Sequence, residues 1–411
     1  MHPDFPAQRL WTFNGTVPGQ TYVARYGEPI LVRNFNDLPD DNGGFGKQSV
    51  STHLHNGHTP SESDGFPCDF FEQEQYYDQH YPNVLAGFSF DHQPNGDIRE
   101  SMSTLWYHDH RVDFTAQNAY KGLAGFYLLF NEFDTGDETT GFRLPSFPEF
   151  DVPMMFNDKN FNDDEILIFD LANRDGILGD KFFVNGRIQP FFEVKRRRYR
   201  FRWLNGGPSR FYQFFLTRVS NNATIPFWHI ANDGNLLPNP IQVTSTLIAV
   251  AERMDVIVDF SQFPEGTEIY LENRLRQTNG AGPDDSLFSA GQGNKVMKFK
   301  VVAGTVNDQS VNPATKTSQA LGGQPYFYAV PTRQSTNVER CFNFDRENGQ
   351  WVINDQVFDC DDVRFKVKRN TAEIWELEGG RDWQHPIHIH FERTSDYRAQ
   401  SRSAPSDRAR P

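Results

Sequence analysis

The sequence has few cysteines, no long apolar run and fewer basic than acidic residues, and each shortage excludes a class of protein. Three cysteines in 411 residues (Cys68, Cys341 and Cys360) are too few for a disulfide scaffold and lack C-x-x-C spacing. No apolar run approaches the roughly 20 residues that span a bilayer, so we expect no membrane span. The net charge of −14 argues against nucleic acid or an anionic membrane as a partner.

The cysteines and the first residues leave several questions open. A Cys341–Cys360 disulfide is compatible with the sequence, and so are free buried thiols. Met1–Asp4 lacks the charged and apolar regions of a signal peptide, so this start carries no export address. The oligomeric state is not readable from the sequence.

Phenylalanine, proline and glycine are abundant, at 38, 25 and 31 residues, and short aromatic or β-branched runs end in turn signals. No long stretch keeps a 3.6-residue apolar period, so we expect few and short helices. Many strands separated by turns are typical of sandwiches and barrels, which makes the predicted fold class all-β. Strands are predicted at Gln20–Arg25, Ile30–Asn34, Gly125–Phe130, Ile166–Phe169, Tyr199–Leu204, Val256–Phe260, Glu268–Asn273, Lys295–Val302 and Ala372–Leu377.

Two stretches have the composition of linkers. Glu132–Pro148 is acidic and then carries prolines, and Gly304–Thr336 is rich in small and polar residues. The third domain that they delimit is too short for a full sandwich, and the last residues are too polar to fold. The predicted units are domain 1 over residues 1–143, domain 2 over 144–305, a linker over 306–335, a partial domain 3 over 336–392 and a disordered tail over 393–411.

The basic run Lys195–Arg202 raises the alternative of a nucleic-acid site. From Arg198 onward, basic residues alternate with Tyr199, Phe201 and Trp203, which is the period of a half-buried strand. We therefore predict a strand whose basic face is solvated.

Three His-x-His pairs stand out among the 12 histidines, where chance predicts about 0.35 pairs. Each pair lies in a strand-like run, where residues i and i+2 share a face with Cβ atoms about 6.5–7 Å apart. Three such pairs could bring six imidazoles to one cluster, and imidazole suits copper, zinc, iron or nickel. The pairs are His53 and His55, His108 and His110, and His388 and His390.

The third pair is preceded by His385, three residues before His388. If the segment is extended, His385 faces away from the cluster, which would suit a second metal site. A capped surface residue is the alternative interpretation of His385.

The segments around the pairs resemble the multicopper oxidase family, and within it the bilirubin oxidase and bacterial spore-coat laccase branch. Asn118–Gly125, Phe183–Gly186 and Tyr199–Arg202 are similar to further parts of the family, and the likeness extends from about Trp11 to His390. The combination of three motifs is far more specific than any one of them. The motifs are His-Leu-His-Asn-Gly at 53–57, Leu-Trp-Tyr-His-Asp-His at 105–110 and His-Pro-Ile-His-Ile-His at 385–390.

The resemblance implies three cupredoxin β-sandwich domains, the third truncated, with a trinuclear copper cluster between domains 1 and 3. It places His53 and His388 at the type 2 copper and His385 at the mononuclear type 1 copper. Asp64 matches an acid that helps to deliver protons to bound oxygen, and a plain turn residue is its alternative interpretation. The type 3 pair would be bound by His55, His108, His110 and His390.

The family's fourth motif, His-Cys-His followed by a further His and usually Met, is absent from the sequence. No cysteine follows Cys360, and no histidine or methionine follows His390. The chain thus carries six of eight cluster ligands and no thiolate for a blue copper site. Because composition changes after Glu392, we expect a truncated or frame-shifted product with impaired activity.

Two rival functions stay open. His53, His55 and His58 have the H-x-H-x-x-H spacing of metallo-β-lactamase-like zinc hydrolases, although Gly57 stands where those enzymes usually carry an aspartate. We expect His58 to be a solvated loop residue. The other rival is a copper-binding cupredoxin array without catalysis.

For the full-length parent, the resemblance implies single-electron oxidation of phenolic or tetrapyrrole donors and reduction of O₂ to water. Its partners would be molecular oxygen and small aromatic donors. Because relatives are mostly exported or deposited on spores, we expect an exported parent.

Overall fold

Strands dominate the chain, as the short aromatic and β-branched runs predict. The computed structural model describes residues 1–86, 88–90, 93–173, 175–304, 306–315, 336–368, 371–379 and 383–390. Within these ranges the all-β prediction is confirmed, since the one α-helix, α1 (Thr115–Lys121), has two turns and the 3-10 helices have three residues each. The 3-10 helices are Ser61–Ser63, Ile98–Glu100 and Pro313–Thr315.

The same ranges contain no helix that is long and apolar enough to cross a membrane. Residues 393–411, predicted to be disordered, and most of the predicted linker lie outside the described residues. The proposed domain boundaries remain predictions.

Domain 1 packs a four-stranded sheet on a two-stranded one. Leu54, Leu105 and Tyr127 of the larger sheet and Tyr81 of the smaller one meet in a shared core. The strands are β1 (Gly19–Arg25), β2 (Ile30–Phe35), β3 (Thr52–His55), β4 (Tyr76–Tyr81), β5 (Phe88–Phe90), β6 (Gln93–Asn95), β7 (Thr104–Asp109) and β8 (Ala124–Phe130). The larger sheet has the order β1-β8-β7-β3, which places the first two histidine pairs on neighbouring strands at its edge, and β2 pairs with β4.

Domain 2 is a sandwich with an aromatic core, in which Phe201, Phe214 and Phe299 are fully buried. Its strands are β9 (Asp151–Phe161), β10 (Leu167–Ile168), β11 (Lys181–Val184), β12 (Arg187–Ile188), β13 (Phe191–Val194), β14 (Arg198–Asn205), β15 (Tyr212–Arg218), β16 (Thr224–Ile225), β17 (Phe227–Asn232), β18 (Asn235–Val243), β19 (Thr246–Ile248), β20 (Arg253–Asp259), β21 (Glu268–Asn273) and β22 (Asn294–Val301). One sheet runs β12-β11-β9-β14-β20-β17-β18 with β10 beside β9, and the other runs β13-β22-β21-β15-β16 with β19 beside β15.

Domain 3 contributes a single four-stranded sheet among its described residues, in agreement with the expectation of an incomplete sandwich. The strands are β23 (Glu339–Glu347), β24 (Gln350–Ile353), β25 (Gln356–Val357) and β26 (Ile374–Gly379), in the order β25-β24-β23-β26. The third histidine pair follows in Trp383–His390, which forms no strand. The prediction of a strand for this pair is therefore wrong.

The basic run lies in a strand, as predicted, but its solvated face is a wrong prediction. Arg200 and Arg202 of β14 have no exposed side-chain surface. Arg200 donates to Asp134 and Asp255 at 2.6–3.0 Å, and Arg202 forms a bidentate pair with Asp151 at 2.8 and 2.7 Å. Alternation of basic and aromatic residues shows only that the two faces of a strand differ in polarity. Here the polar face of β14 packs against carboxylates between domains 1 and 2 instead of facing solvent.

Neither interpretation of the cysteines was correct. Cys68 and Cys360 form a disulfide across 292 residues of sequence, with Cα atoms 6.2 Å apart, and Cys341 is free and exposed. The rings of Phe66 and Phe358, two residues before each half-cystine, lie 6.2 Å apart. The bond therefore joins domain 1 to domain 3 at their contact.

Replacing Cys68 with serine is expected to lower the free energy of unfolding by about 2–4 kcal/mol, because the cross-link restricts the unfolded chain. Urea unfolding under non-reducing conditions measures this loss. Cys341→Ser is the matched control and should unfold like the unmodified chain. Equal unfolding of Cys68→Ser and Cys341→Ser would contradict the disulfide.

Candidate metal centre

The register of β3 and β7 brings the first two histidine pairs together. The strands are antiparallel, with His53 opposite His108 and His55 opposite Trp106. His110 follows β7 directly, and its backbone N–H donates to the carbonyl oxygen of Ser51 at 2.6 Å. All four imidazoles therefore gather at one end of the sheet.

Asp109, between the histidines of the second pair, anchors this end of the sheet. Its carboxylate accepts hydrogen bonds from the backbone N–H of Ser51 at 3.0 Å and from Asn118 of α1 at 2.9 Å. Burial raises the pKa of Asp109 to about 7. Strand pairing and a buried side-chain network thus hold the second pair in place.

The third pair reaches the same place from domain 3. The segment rests on domain 2, where Gln384 donates its backbone N–H to the carbonyl oxygen of Ala281 at 2.8 Å. The Nε2 atoms of His388 and His53 are 3.3 Å apart. His390 stacks on His53 with ring centroids 4.1 Å apart.

The six rings form one continuous cluster. His53 has ring centroids within 5.3–5.6 Å of four other histidines and 4.1 Å from the fifth. His55 and His388 stack at 3.6 Å, almost parallel. The structure thus brings together all six histidines of the three predicted pairs.

Outer hydrogen bonds orient three of the six rings. The Nδ1 atoms of His53 and His108 lie 2.5 and 2.7 Å from the carbonyl oxygens of Asp64 and Asp109. The Nδ1 of His390 lies 2.5 Å from Oδ2 of Asp64. An N–H donated at Nδ1 leaves the Nε2 lone pair for a metal.

The electrostatics favour neutral imidazoles. Burial is the largest cause that lowers the pKa of His53, His55, His108 and His388, and it lowers that of His110 to about 4. Neighbouring imidazoles lower these pKa values further. A neutral ring is the form that binds a metal.

Asp64 is both a turn residue and a neighbour of the cluster, so its two interpretations are compatible. It ends the 3-10 helix, and a Cβ on the next residue, Gly65 (φ +80°), would lie 2.3 Å from the carbonyl oxygen of Thr52. Glycine therefore lets the turn approach β3. Burial alone would raise the pKa of Asp64, but hydrogen bonds with His390 and His53 outweigh it and lower that pKa.

Two other histidines lie apart from the six rings. His385 is exposed and makes its ring contacts with Trp351 at 4.8 Å and Phe344 at 6.4 Å. His58 is half-buried, with Nδ1 3.2 Å from the carbonyl oxygen of Val84, so the expectation of a solvated residue is wrong. Its role as a third ligand in a hydrolase motif gains no support from this position.

The sequence reasoning missed Trp106. Its buried ring lies 4.2 Å from that of His108 and 5.2 Å from that of His55. The signal was present, because residues 106 and 108 share a strand face.

The donor set fits copper. His53, His388 and His390 form one group whose ligand atoms lie within 4.8 Å of one another, and His53, His55 and His108 form another. The Nδ1 atoms of His55 and His110 are buried without a hydrogen-bond partner among the described residues, a cost that a bound metal would remove. The predicted ligand roles remain predictions.

Comparison with known proteins gives the family of the chain. Two family models, both described as multicopper oxidase, match residues 2–132 and 330–407. The chain is 34% identical to a bilirubin oxidase of Albifimbria verrucaria over 98% of this chain and 64% of the relative. It is 32% identical to a laccase of Bacillus stratosphericus over 95% of this chain and 76% of the relative. The chain thus spans 64% and 76% of the lengths of these two relatives.

Solved structures share the fold. A multicopper oxidase, McoA, of Aquifex aeolicus superposes with a TM-score of 0.64 at 24% identity, covering 81% of this chain and 63% of its own. A laccase of Pediococcus acidilactici superposes with a TM-score of 0.68 at 21% identity, covering 90% and 68%. These likenesses support three cupredoxin-like domains.

Proposed function

Since the chain belongs to the multicopper oxidase family, we propose that it serves the copper-dependent oxidation of phenolic or tetrapyrrole donors by O₂. Four single-electron oxidations of the donor supply four electrons, which with four protons convert one O₂ to two waters. The observation that carries this proposal is the meeting of six imidazoles from three distant pairs.

The six histidines would hold the copper, with His53 central to both groups of ligand atoms. Copper supplies the electron transfer and the affinity for O₂ when it is bound. The protein's own contribution is to orient three of the rings, through Asp64 and Asp109. Burial lowers the pKa of five of the six histidines and so favours their neutral form: His53, His55, His108, His110 and His388. Trp106 packs beside two of the rings and limits access of water on that side.

Asp64 is the residue that we propose to pass protons toward the cluster. Its Oδ2 contacts His390, whereas its Oδ1 is buried 3.4 Å from Nδ1 of His53. The lowered pKa of Asp64 keeps its carboxylate ionised, so the carboxylate would take up a proton only transiently and pass it on to the cluster.

Metal content tests the choice of copper over zinc. After exposure to equal amounts of both ions and dialysis, the purified chain is expected to retain copper. Retention of zinc together with hydrolysis of a β-lactam or ester would favour the hydrolase and overturn the proposal.

For the 411-residue chain alone we propose copper binding with impaired turnover. Cys68 and Cys360 are joined in a disulfide, and Cys341 is exposed on β23. The ring contacts of His385 are with Trp351 and Phe344. We therefore expect no thiolate ligand for a type 1 copper from these three cysteines.

The copper-loaded chain should therefore lack the intense blue thiolate-to-copper absorption and should oxidise phenolic donors no faster than free copper. Absorption spectroscopy and oxygen uptake measure both properties. A blue solution with saturable oxidation of phenols would contradict this prediction.

A copper-binding array without catalysis is the second candidate, and the placement of the three cysteines favours it. Oxygen uptake by the chain alone is the same for both candidates. Uptake in the presence of an added thiol separates them, since the array predicts copper retention without donor oxidation under any condition. A thiol-bearing peptide that restored blue colour and donor oxidation would favour the oxidase.

We also propose that the protein is exported. A disulfide between two domains forms and persists in oxidising compartments, which supports a location outside the cytosol. Fractionation of the source cells tests this, and recovery of the protein in the cytosol with reduced cysteines would contradict it.

A further inference from the structure

Arg253 of domain 2 reaches out of its own domain to the end of β3. Its side chain is 1% exposed, and its Nη2 donates to Oδ1 of Asn56, the residue after His55. Its Nε donates to the carbonyl oxygen of Thr104 at 3.2 Å, and Nη2 and Nη1 donate to those of Asp233 and Ala251 at 2.9 Å. All three guanidinium nitrogens thus donate to acceptors that hold the group in place.

Asn56 holds the backbone directly after a predicted copper ligand. It adopts φ +64°, a left-handed conformation that asparagine tolerates better than most residues. The next backbone N–H, of Gly57, donates to the carbonyl oxygen of Leu54 at 2.9 Å and closes the turn. The hydrogen bond from Arg253 therefore locks the turn in which His55 ends β3.

His55 needs such support more than His53 or His108 does. Those two rings have an oxygen acceptor at Nδ1, whereas the Nδ1 of His55 is buried without a partner among the described residues. The orientation of the His55 ring therefore depends on its packing against His388 and Trp106 and on the backbone that carries it.

We propose that Arg253 is a positioning residue for the copper cluster, and that it acts through Asn56 to orient the imidazole of His55. The inference rests on the proposed copper site. Domain 2 would thus help to position a cluster whose six histidines come from domains 1 and 3.

The test compares Arg253→Lys with Arg274→Lys, a matched change at a buried arginine of domain 2 that bonds Glu272 and Thr217. Arg253→Lys should weaken copper binding by about tenfold or more and alter the copper electron paramagnetic resonance spectrum. Arg274→Lys should change neither property. Asn56→Ala should reproduce the effect, and the double variant should be no worse than either single variant.

A copper-free readout separates this inference from the proposed function. In ¹⁵N-histidine-labelled protein without copper, Arg253→Lys should shift or broaden the ring signals of His55 while those of His53 stay in place. Unchanged His55 signals, or additive losses in the double variant, would overturn the positioning role. Failure of the unmodified chain to bind copper would instead overturn the proposed function.

Discussion

Replacing Arg200 with methionine is expected to lower the free energy of unfolding by about 3–5 kcal/mol, the largest stability effect that we predict. Methionine fills a similar volume but leaves Asp134, Asp151 and Asp255 with Arg202 as the nearest remaining cation. These carboxylates are almost fully buried, so water cannot replace the lost charge. Urea unfolding followed by tryptophan fluorescence measures the loss.

Arg33→Met is the matched control. Arg33 also forms a bidentate pair, with Asp78 at 2.6 Å, but both side chains are half exposed. Solvent and salt screen such a pair, so this variant should unfold nearly like the unmodified chain. Equal effects of the two substitutions would mean that the arginines of β14 are not buried against carboxylates.

Replacing His53 with alanine is expected to have the largest effect on copper. His53 belongs to both groups of ligand atoms, so its loss removes one ligand from each. Affinity should fall by more than the about 10–100-fold that loss of an outer-shell partner costs. Copper titration followed by dialysis and metal analysis measures the affinity and the copper retained per chain.

His58→Ala is the control for this experiment, because His58 follows the same strand but contacts the carbonyl oxygen of Val84. It should retain as much copper as the unmodified chain. Circular dichroism should show the same strand content in both variants. Full copper retention by His53→Ala would contradict the central place of His53.

Strands were predictable where local pattern decides the structure. The run Glu268–Asn273 is a strand with the predicted ends, and Tyr199–Leu204 lies within β14. Strand parity also placed His53 with His55 on one face, since that needs only the two-residue period. These features depend on neighbours in sequence.

Features that depend on contacts between distant segments were not predictable in this way. Cys360 pairs with Cys68 rather than with Cys341, because the domain contact selects the partner. Arg200 is buried, because carboxylates of β20 and of the connection between β8 and β9 cover the polar face of β14. The sequence of a segment does not indicate which distant segment packs against it.

The candidate site divides in the same way. The six histidines were found from their paired spacing and from family resemblance, although Trp383–His390 forms no strand. Arg253 was missed, since nothing near it in sequence indicates that its guanidinium reaches Asn56. Residues that bind a metal can be recognised by their spacing in the sequence. A residue that positions them from another domain, such as Arg253, leaves no such pattern.

An anomalous difference map at the copper absorption edge, from crystals of the copper-loaded chain, tests the central claim most directly. Copper density is expected among the rings of His53, His55, His108, His110, His388 and His390. Copper density elsewhere, or bound by one histidine pair with the segment around His388 displaced, would contradict a single cluster built from domains 1 and 3.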